Sequence, residues 1–146
     1  MTEAELTKAE RERRKKLSAN MRKMILSAMD IEDQDETSLV TGYCGYYLQI
    51  SFSELHPLMV FCLARNLDHI GDTRQLRILN ELNLKSILGS HSINKTVGCY
   101  SYRATQWLDN KIEQERFFEI LNRCVDEANK GYTCIAKFQM KKAYSQ

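Results

Sequence analysis

Three strand-like runs follow one another with only short turns between residues 38 and 65, and this feature constrains the fold most. The runs are Ser38–Tyr43, Gly45–Phe52 and Leu58–Arg65, and all three are rich in β-branched, aromatic or other apolar residues. Consecutive strands joined by short turns favour antiparallel pairing. The sequence therefore predicts an α+β fold in which amphipathic helices cover one face of a mainly antiparallel sheet.

The third run differs from the second in its pattern. Tyr46, Leu48, Ile50 and Phe52 alternate with more polar residues, as in a strand with one buried face. The run 58–63 is apolar on both faces, which indicates a central strand or a strand covered on both sides. Pro57 lacks an N–H group and fits the start of that strand. Sheet packing is the favoured use of Tyr43, Tyr46 and Tyr47.

A short helix from Asp72 to Lys85 is predicted to lead directly into a hairpin. Asp72 and Gln75 form a capping-box pattern, and Leu76, Leu79 and Leu82 recur on one face. Asn80 and Asn83 lie three residues apart near the end of this helix. They are either side chains that satisfy a tight exit from the helix or ordinary surface asparagines.

The hairpin is predicted from two runs, 86–93 and 96–104, with a turn at Asn94-Lys95. In the second run Val97, Cys99 and Ser101 alternate with Gly98, Tyr100 and Tyr102, which is typical of a strand. The alternation separates the two faces of the strand. It leaves open whether the tyrosines belong to the core or to an interface.

Two further helices flank these elements. The first is predicted from Thr2 to about Met29, and it carries a basic cluster between Arg11 and Lys23 that we interpret as a solvated helix face. The last is predicted to be capped by Asp109 or Asn110 and to end near Lys130, with Gly131 as the C′ residue. Residues 132–146 fit a strand or a helix.

The 146 residues are expected to form a single domain, 1–146, made of the charged helix 2–29, a core over 30–131 and the ambiguous tail. The order is α-β-β-β-α-β-β-α with a mainly antiparallel five-stranded sheet. The expected core includes Val60, Leu79, Leu82, Phe117, Ile120 and Leu121.

Composition argues against several kinds of site. A net charge of +2 does not indicate a dedicated nucleic-acid binder. The five cysteines are odd in number and contain no C-x-x-C pair, so we expect reduced, buried thiols in a cytoplasmic protein. No metal, cofactor or small-molecule substrate is expected. A charged N-terminus without an apolar h-region predicts no signal peptide, and no apolar run is long enough to span a membrane.

This order resembles the fold of type III secretion chaperones and of YbjN-like proteins. The residues that carry the resemblance are Leu79-Asn80-Glu81-Leu82-Asn83, Gly89, Ile93, Asn94-Lys95 and the strand ending at Arg103, followed by the helix around Phe117–Leu121. It covers roughly residues 5–130. The resemblance implies non-enzymatic work: a dimer that holds a segment of a partner protein, or a regulator.

We therefore predict a homodimeric protein-binding domain, chaperone-like or regulatory, with Tyr100, Tyr102 and Trp107 as candidate partner-binding residues. An immunity protein that neutralises a toxin is the main alternative. An enzyme would need an activated nucleophile, and only Cys99 with His91 across the hairpin offers one. A nucleic-acid regulator would rest on the basic cluster alone.

Overall fold

The computed structural model describes residues 7–53, 56–71 and 73–144, with side chains as far as residue 136. Within these residues the elements are α1 (Lys8–Ala28), β1 (Asp33–Gln34), β2 (Ser38–Tyr43), β3 (Tyr46–Phe52), β4 (Leu58–Asn66), α2 (Thr73–Lys85), β5 (Gly89–Asn94), β6 (Cys99–Trp107) and α3 (Gln114–Tyr144).

The described strands form one antiparallel sheet in the order β1-β2-β3-β4-β6-β5, so the predicted α+β class is confirmed. Strand β4 is central, as its apolar run predicts, and it pairs with β6 from Leu58↔Trp107 to Asn66↔Cys99. The sheet has six strands where five were expected. The added strand, β1, is two residues of the acidic linker paired with Leu39 and Val40, too short to show an alternating pattern.

The described parts of the three helices share their core with one face of the sheet. Phe61 and Leu63 of β4 are fully buried there, as are Phe117 and Leu121 of α3 and Ile25 of α1. Among the other expected core residues, Leu79 is buried, whereas Leu82 and Ile120 are half-buried at its margin. The prediction for Val60 is wrong. Because Met59 and Phe61 point toward the helices, Val60 points to the other face of the sheet.

Helix α3 does not end where the sequence predicts. It begins at Gln114, and Asp109 instead accepts a hydrogen bond from the Lys111 N–H in the preceding turn. It continues through Gly131. The absence of a side chain at this position lets α3 pack closely against His91 and Tyr100. A Cβ atom there would lie 2.7 Å from the Tyr100 hydroxyl. The ambiguous tail is therefore helical to Tyr144, and Ile135 is fully buried.

Local capping and turn geometry also refine the predictions. Thr7 caps α1 by accepting a hydrogen bond from the Glu10 N–H, whereas the predicted Thr2–Glu5 capping box lies outside the described residues. Asp72 also lies outside them, but Gln75 does reach back and accepts from the Gly71 N–H at 2.7 Å. The β5–β6 turn spans residues 95–98, and its positive φ of 70° is at Gly98 rather than at Asn94.

Candidate protein-binding surface

The face of the sheet turned away from the helices is built from short and mostly uncharged side chains. We call it the open face. The pairing register defines its cross-strand rows: Asp33, Val40, Gln49, Cys62, Arg103 and Ser90; Gly42, Tyr47, Ala64, Ser101 and Ser92; Ser38, Ser51, Val60 and Thr105; Asn66, Cys99 and Asn94; Leu58 and Trp107. In a sheet packed on one face only, this second face is the one available to a further layer.

Two large side chains stand out from this surface. Tyr47 of β3 is 58% exposed and Trp107 of β6 is 59% exposed. The Trp107 ring makes an edge contact with His56, with 6.4 Å between ring centroids. Exposed aromatic residues beside an uncharged surface are typical of protein interfaces.

Of the three candidate partner-binding residues, only Trp107 is exposed. Tyr100 and Tyr102 are fully buried on the helix side of β6, where they contribute no surface to a partner. The Tyr100 hydroxyl lies 2.6 Å from His91 Nδ1, and the Tyr102 hydroxyl donates to the Glu127 carboxylate at 2.7 Å. Burial raises the pKa of both tyrosines. Partner binding by Trp107 stays a prediction.

A side chain of α2 covers the β5 edge of the sheet at His91. Asn83 of α2 accepts a hydrogen bond from the His91 N–H at 2.7 Å and donates one to the His91 carbonyl at 3.0 Å. This side-chain amide takes the place of a peptide group on a neighbouring strand. Unpaired N–H and C=O groups at a sheet edge can pair with a strand of another molecule, so the two hydrogen bonds from Asn83 protect the edge at His91. Asn83 therefore bonds the backbone of β5 rather than the exit of its own helix, a use that neither sequence interpretation includes.

Glu127 of α3 holds the loop between α2 and β5. Its carboxylate accepts hydrogen bonds from the N–H groups of Ile87, Leu88 and Gly89 at 3.0–3.1 Å, from the Ser86 hydroxyl at 2.8 Å and from Tyr102. We call this arrangement the Glu127 clamp. Partial burial would raise the pKa of Glu127, but these hydrogen bonds outweigh it and lower the pKa to about 2.

The clamped loop presents apolar side chains to solvent. Ile87 is 89% exposed and Leu88 is 44% exposed, and Leu84 at the end of α2 is 78% exposed. We call these three residues the apolar tip. Since the Glu127 clamp fixes the loop backbone, the tip is presented in one arrangement. Such preorganisation lowers the entropy cost of binding.

The Cys99–His91 pairing that an enzyme would need does not form. Cys99 lies on the open face beside Asn66 and Asn94, whereas His91 is buried on the helix side of the sheet. Burial raises the pKa of the Cys99 thiol and lowers that of His91. The expectation of buried cysteines holds for Cys124 but is wrong for two others, because Cys44 and Cys134 are exposed.

Over the described ranges, no three histidine, cysteine or acidic side chains gather as a metal site would require. None of the helices there combines the length and apolar character needed to cross a bilayer.

Comparison with known proteins gives matches in structure alone. No protein-family model and no curated protein matches the sequence. YbjN from E. coli superposes with a TM-score of 0.62 at 9% identity, over 85% of this chain and 92% of that chain. The Yersinia pestis type III secretion chaperone SycH, solved with a stable fragment of YscM2, gives 0.53 at 15% identity, over 78% and 98%.

A third structure is the heterodimeric ExoU–SpcU complex of the Pseudomonas aeruginosa type III secretion system. It matches with a TM-score of 0.51 at 16% identity, over 78% of this chain and 92% of that chain. At these identities the likeness establishes the fold. The resemblance to YbjN-like proteins and type III secretion chaperones that the sequence predicts is therefore confirmed at the level of the fold.

Proposed function

We propose that this chain is a non-enzymatic protein-binding domain, chaperone-like or regulatory, which holds a segment of a partner protein against the open face. The observation that carries the proposal is the open face itself, a sheet surface that no described helix covers, with exposed Tyr47 and Trp107 on it. The fold likeness to SycH, solved with a fragment of YscM2, supports it. The cytoplasm, where free thiols stay reduced, is the compartment that suits the five cysteines.

The contacts to such a segment come mainly from side chains of the open face. Strand addition at β5 is opposed by Asn83, which already occupies the outward N–H and C=O groups of His91. At the other edge, Arg22 of α1 donates to the Gln34 side chain at 2.9 Å and to the carbonyls of Asp35 and Glu36. These contacts hold the acidic linker on the sheet beside β2.

The proposal predicts that partner binding weakens when the exposed aromatic side chains of Tyr47 and Trp107 are removed. The double variant Tyr47→Ala/Trp107→Ala is expected to retain its fold, because both side chains are largely exposed, and to lose at least tenfold of its partner affinity. Affinity capture from the source cell identifies partners of the wild type, and calorimetric titration with the purified partner then measures the loss.

The matched control is Arg123→Gln, a change on the exposed side of α3 where Arg123 pairs with Glu119. It should bind like the wild type. Unchanged affinity of the double variant for every wild-type partner would place binding elsewhere on the molecule.

We further propose that the chain self-associates through the apolar tip rather than through the buried tyrosines. Leu84, Ile87 and Leu88 form the exposed apolar group, and a two-fold contact would bury them by symmetry. Light scattering at micromolar concentration is expected to give the mass of a dimer for the wild type and of a monomer for Leu84→Ser/Ile87→Ser. A wild-type monomer, or a variant that stays dimeric, would contradict this surface.

A further inference from the structure

We propose that the partner segment carries an aspartate or glutamate that pairs with Arg103 on the open face, about four residues from an apolar residue that contacts Trp107. This inference rests on the proposed function and specifies the chemistry of the partner. It starts from the electrostatics of the open face. On β3, β4, β5 and β6, Arg103 is the only charged residue of the described open face. The described carboxylates of that face, Asp33 of β1 and Glu32 beside Gly42, lie at the opposite edge of the sheet.

The surroundings of Arg103 leave its guanidinium group available. Cys62 and Ser90 lie opposite it on the two neighbouring strands, and Ser101 and Thr105 flank it on β6. All four side chains are short and uncharged. Within the described residues Arg103 makes no ion pair or hydrogen bond, and it is exposed. The planar guanidinium binds a carboxylate through two parallel hydrogen bonds, which makes a carboxylate its best-matched ligand.

Charge complementarity also bears on the possible occupants. A second copy of the chain would bring carboxylates only at the β1 edge of its open face, in Asp33 and Glu32, and a dimer that pairs them with Arg103 is the competing outcome of the test below. A nucleic acid would need several phosphate contacts for useful affinity, and the described open face has one cation. A protein segment with an acidic residue among small or apolar residues matches both the charge and the neutral surface around it.

The sheet geometry sets the spacing along that segment. Arg103 and Trp107 lie on the same strand and the same face, four residues and therefore about 13 Å apart. Tyr47 lies two strands from β6, in the row of Ser101, which is the far side of Arg103 from Trp107. An extended segment crossing the face from Trp107 to Tyr47 therefore passes beside Arg103.

The test is a selection from a phage-displayed library of random dodecapeptides on four proteins: the wild type, Arg103→Gln, Arg103→Glu and the control Arg123→Gln. The wild type and the control are expected to enrich one acidic position, with an apolar residue about four positions away. Arg103→Glu should enrich lysine or arginine at that position, and Arg103→Gln should enrich neither charge. A synthetic peptide selected on the wild type should lose about tenfold in affinity for the wild-type protein when its acidic residue is changed to the amide. The same change should lower its affinity for Arg103→Gln by less than twofold.

The other outcomes separate the two proposals. Peptides that bind the wild type and lose binding in Trp107→Ala, but show no acidic preference, would overturn the role of Arg103 and leave the proposed function standing. Recovery of no peptide by the wild type would count against both. A wild-type dimer that Val60→Asp converts to a monomer would assign the open face to a second copy and overturn the inference.

Discussion

Replacing Leu121 by alanine is expected to lower the free energy of unfolding by about 2–5 kcal/mol, the cost typical of a large cavity in a packed core. Leu121 is fully buried in α3, as is Phe117 one turn earlier, and Phe117 packs against Phe61 of β4 with 5.9 Å between ring centroids. The side chain is thus part of the contact that joins the last helix to the central strand. Urea unfolding followed by circular dichroism measures the change.

A matched leucine provides the control for this measurement. Leu76 of α2 is 51% exposed, so Leu76→Ala should cost well under about 1 kcal/mol, as is usual for surface positions. If Leu121→Ala lost no more stability than Leu76→Ala, the placement of Leu121 on the side of α3 that faces the sheet would be wrong.

Replacing Glu127 by glutamine is expected to cost about 2–4 kcal/mol, because the Glu127 clamp satisfies several donors at once and half-buried donors are expensive to leave unpaired. The glutamine keeps the shape of the side chain but offers one acceptor oxygen to a set of groups that all donate. Tyr102 and the Gly89 N–H are the donors with least access to water. The exposed pair Arg123–Glu119 gives the control, and Glu119→Gln should change stability little.

The clamp also predicts a pH dependence with a definite sign. The pKa of Glu127 is about 2 in the folded chain against an ordinary value of 4.5. Because the folded-state pKa is lowered, the carboxylate stabilises the fold fully above pH 4.5, and this contribution is lost as the pH falls toward about 2. The difference in unfolding free energy between wild type and Glu127→Gln should therefore be constant at neutral pH and shrink below pH 4.5. A difference that instead grows in acid would be incompatible with the clamp.

Burial of His91 also makes the folded chain less stable as the pH falls. Its pKa is lowered in the folded state, so below its ordinary value of 6.5 the unfolded chain takes up a proton that the folded chain resists. The Glu127 charge opposes this shift by raising the pKa of His91, so the His91 term is larger in Glu127→Gln. The double variant that also replaces His91 is therefore the reference that isolates the carboxylate.

The site was only partly predictable from the residues, because register decides which face of a strand is buried. The alternation around Tyr100 and Tyr102 separates two sets of side chains, but it does not say which set faces the helices. The pairing of β6 with β4 places Tyr102 opposite Leu63 and Arg103 opposite Cys62. The tyrosines consequently enter the core and Arg103 reaches the open face, so of the expected aromatic group only Trp107 is exposed.

The sequence by itself determined what depends on local periodicity: the amphipathic helices, the α+β class, and the strands predicted at 38–43, 45–52 and 58–65, each within one residue of its observed bounds. Only the tertiary structure decided the roles of Asn83, Glu127 and Gly131. Each acts on a group that is distant in sequence or on another element: Asn83 on the backbone of β5, Glu127 on a loop 38–40 residues earlier and Gly131 against Tyr100. An asparagine, a glutamate and a glycine in helices have ordinary local uses, and a local pattern cannot show the partner that the fold brings to them.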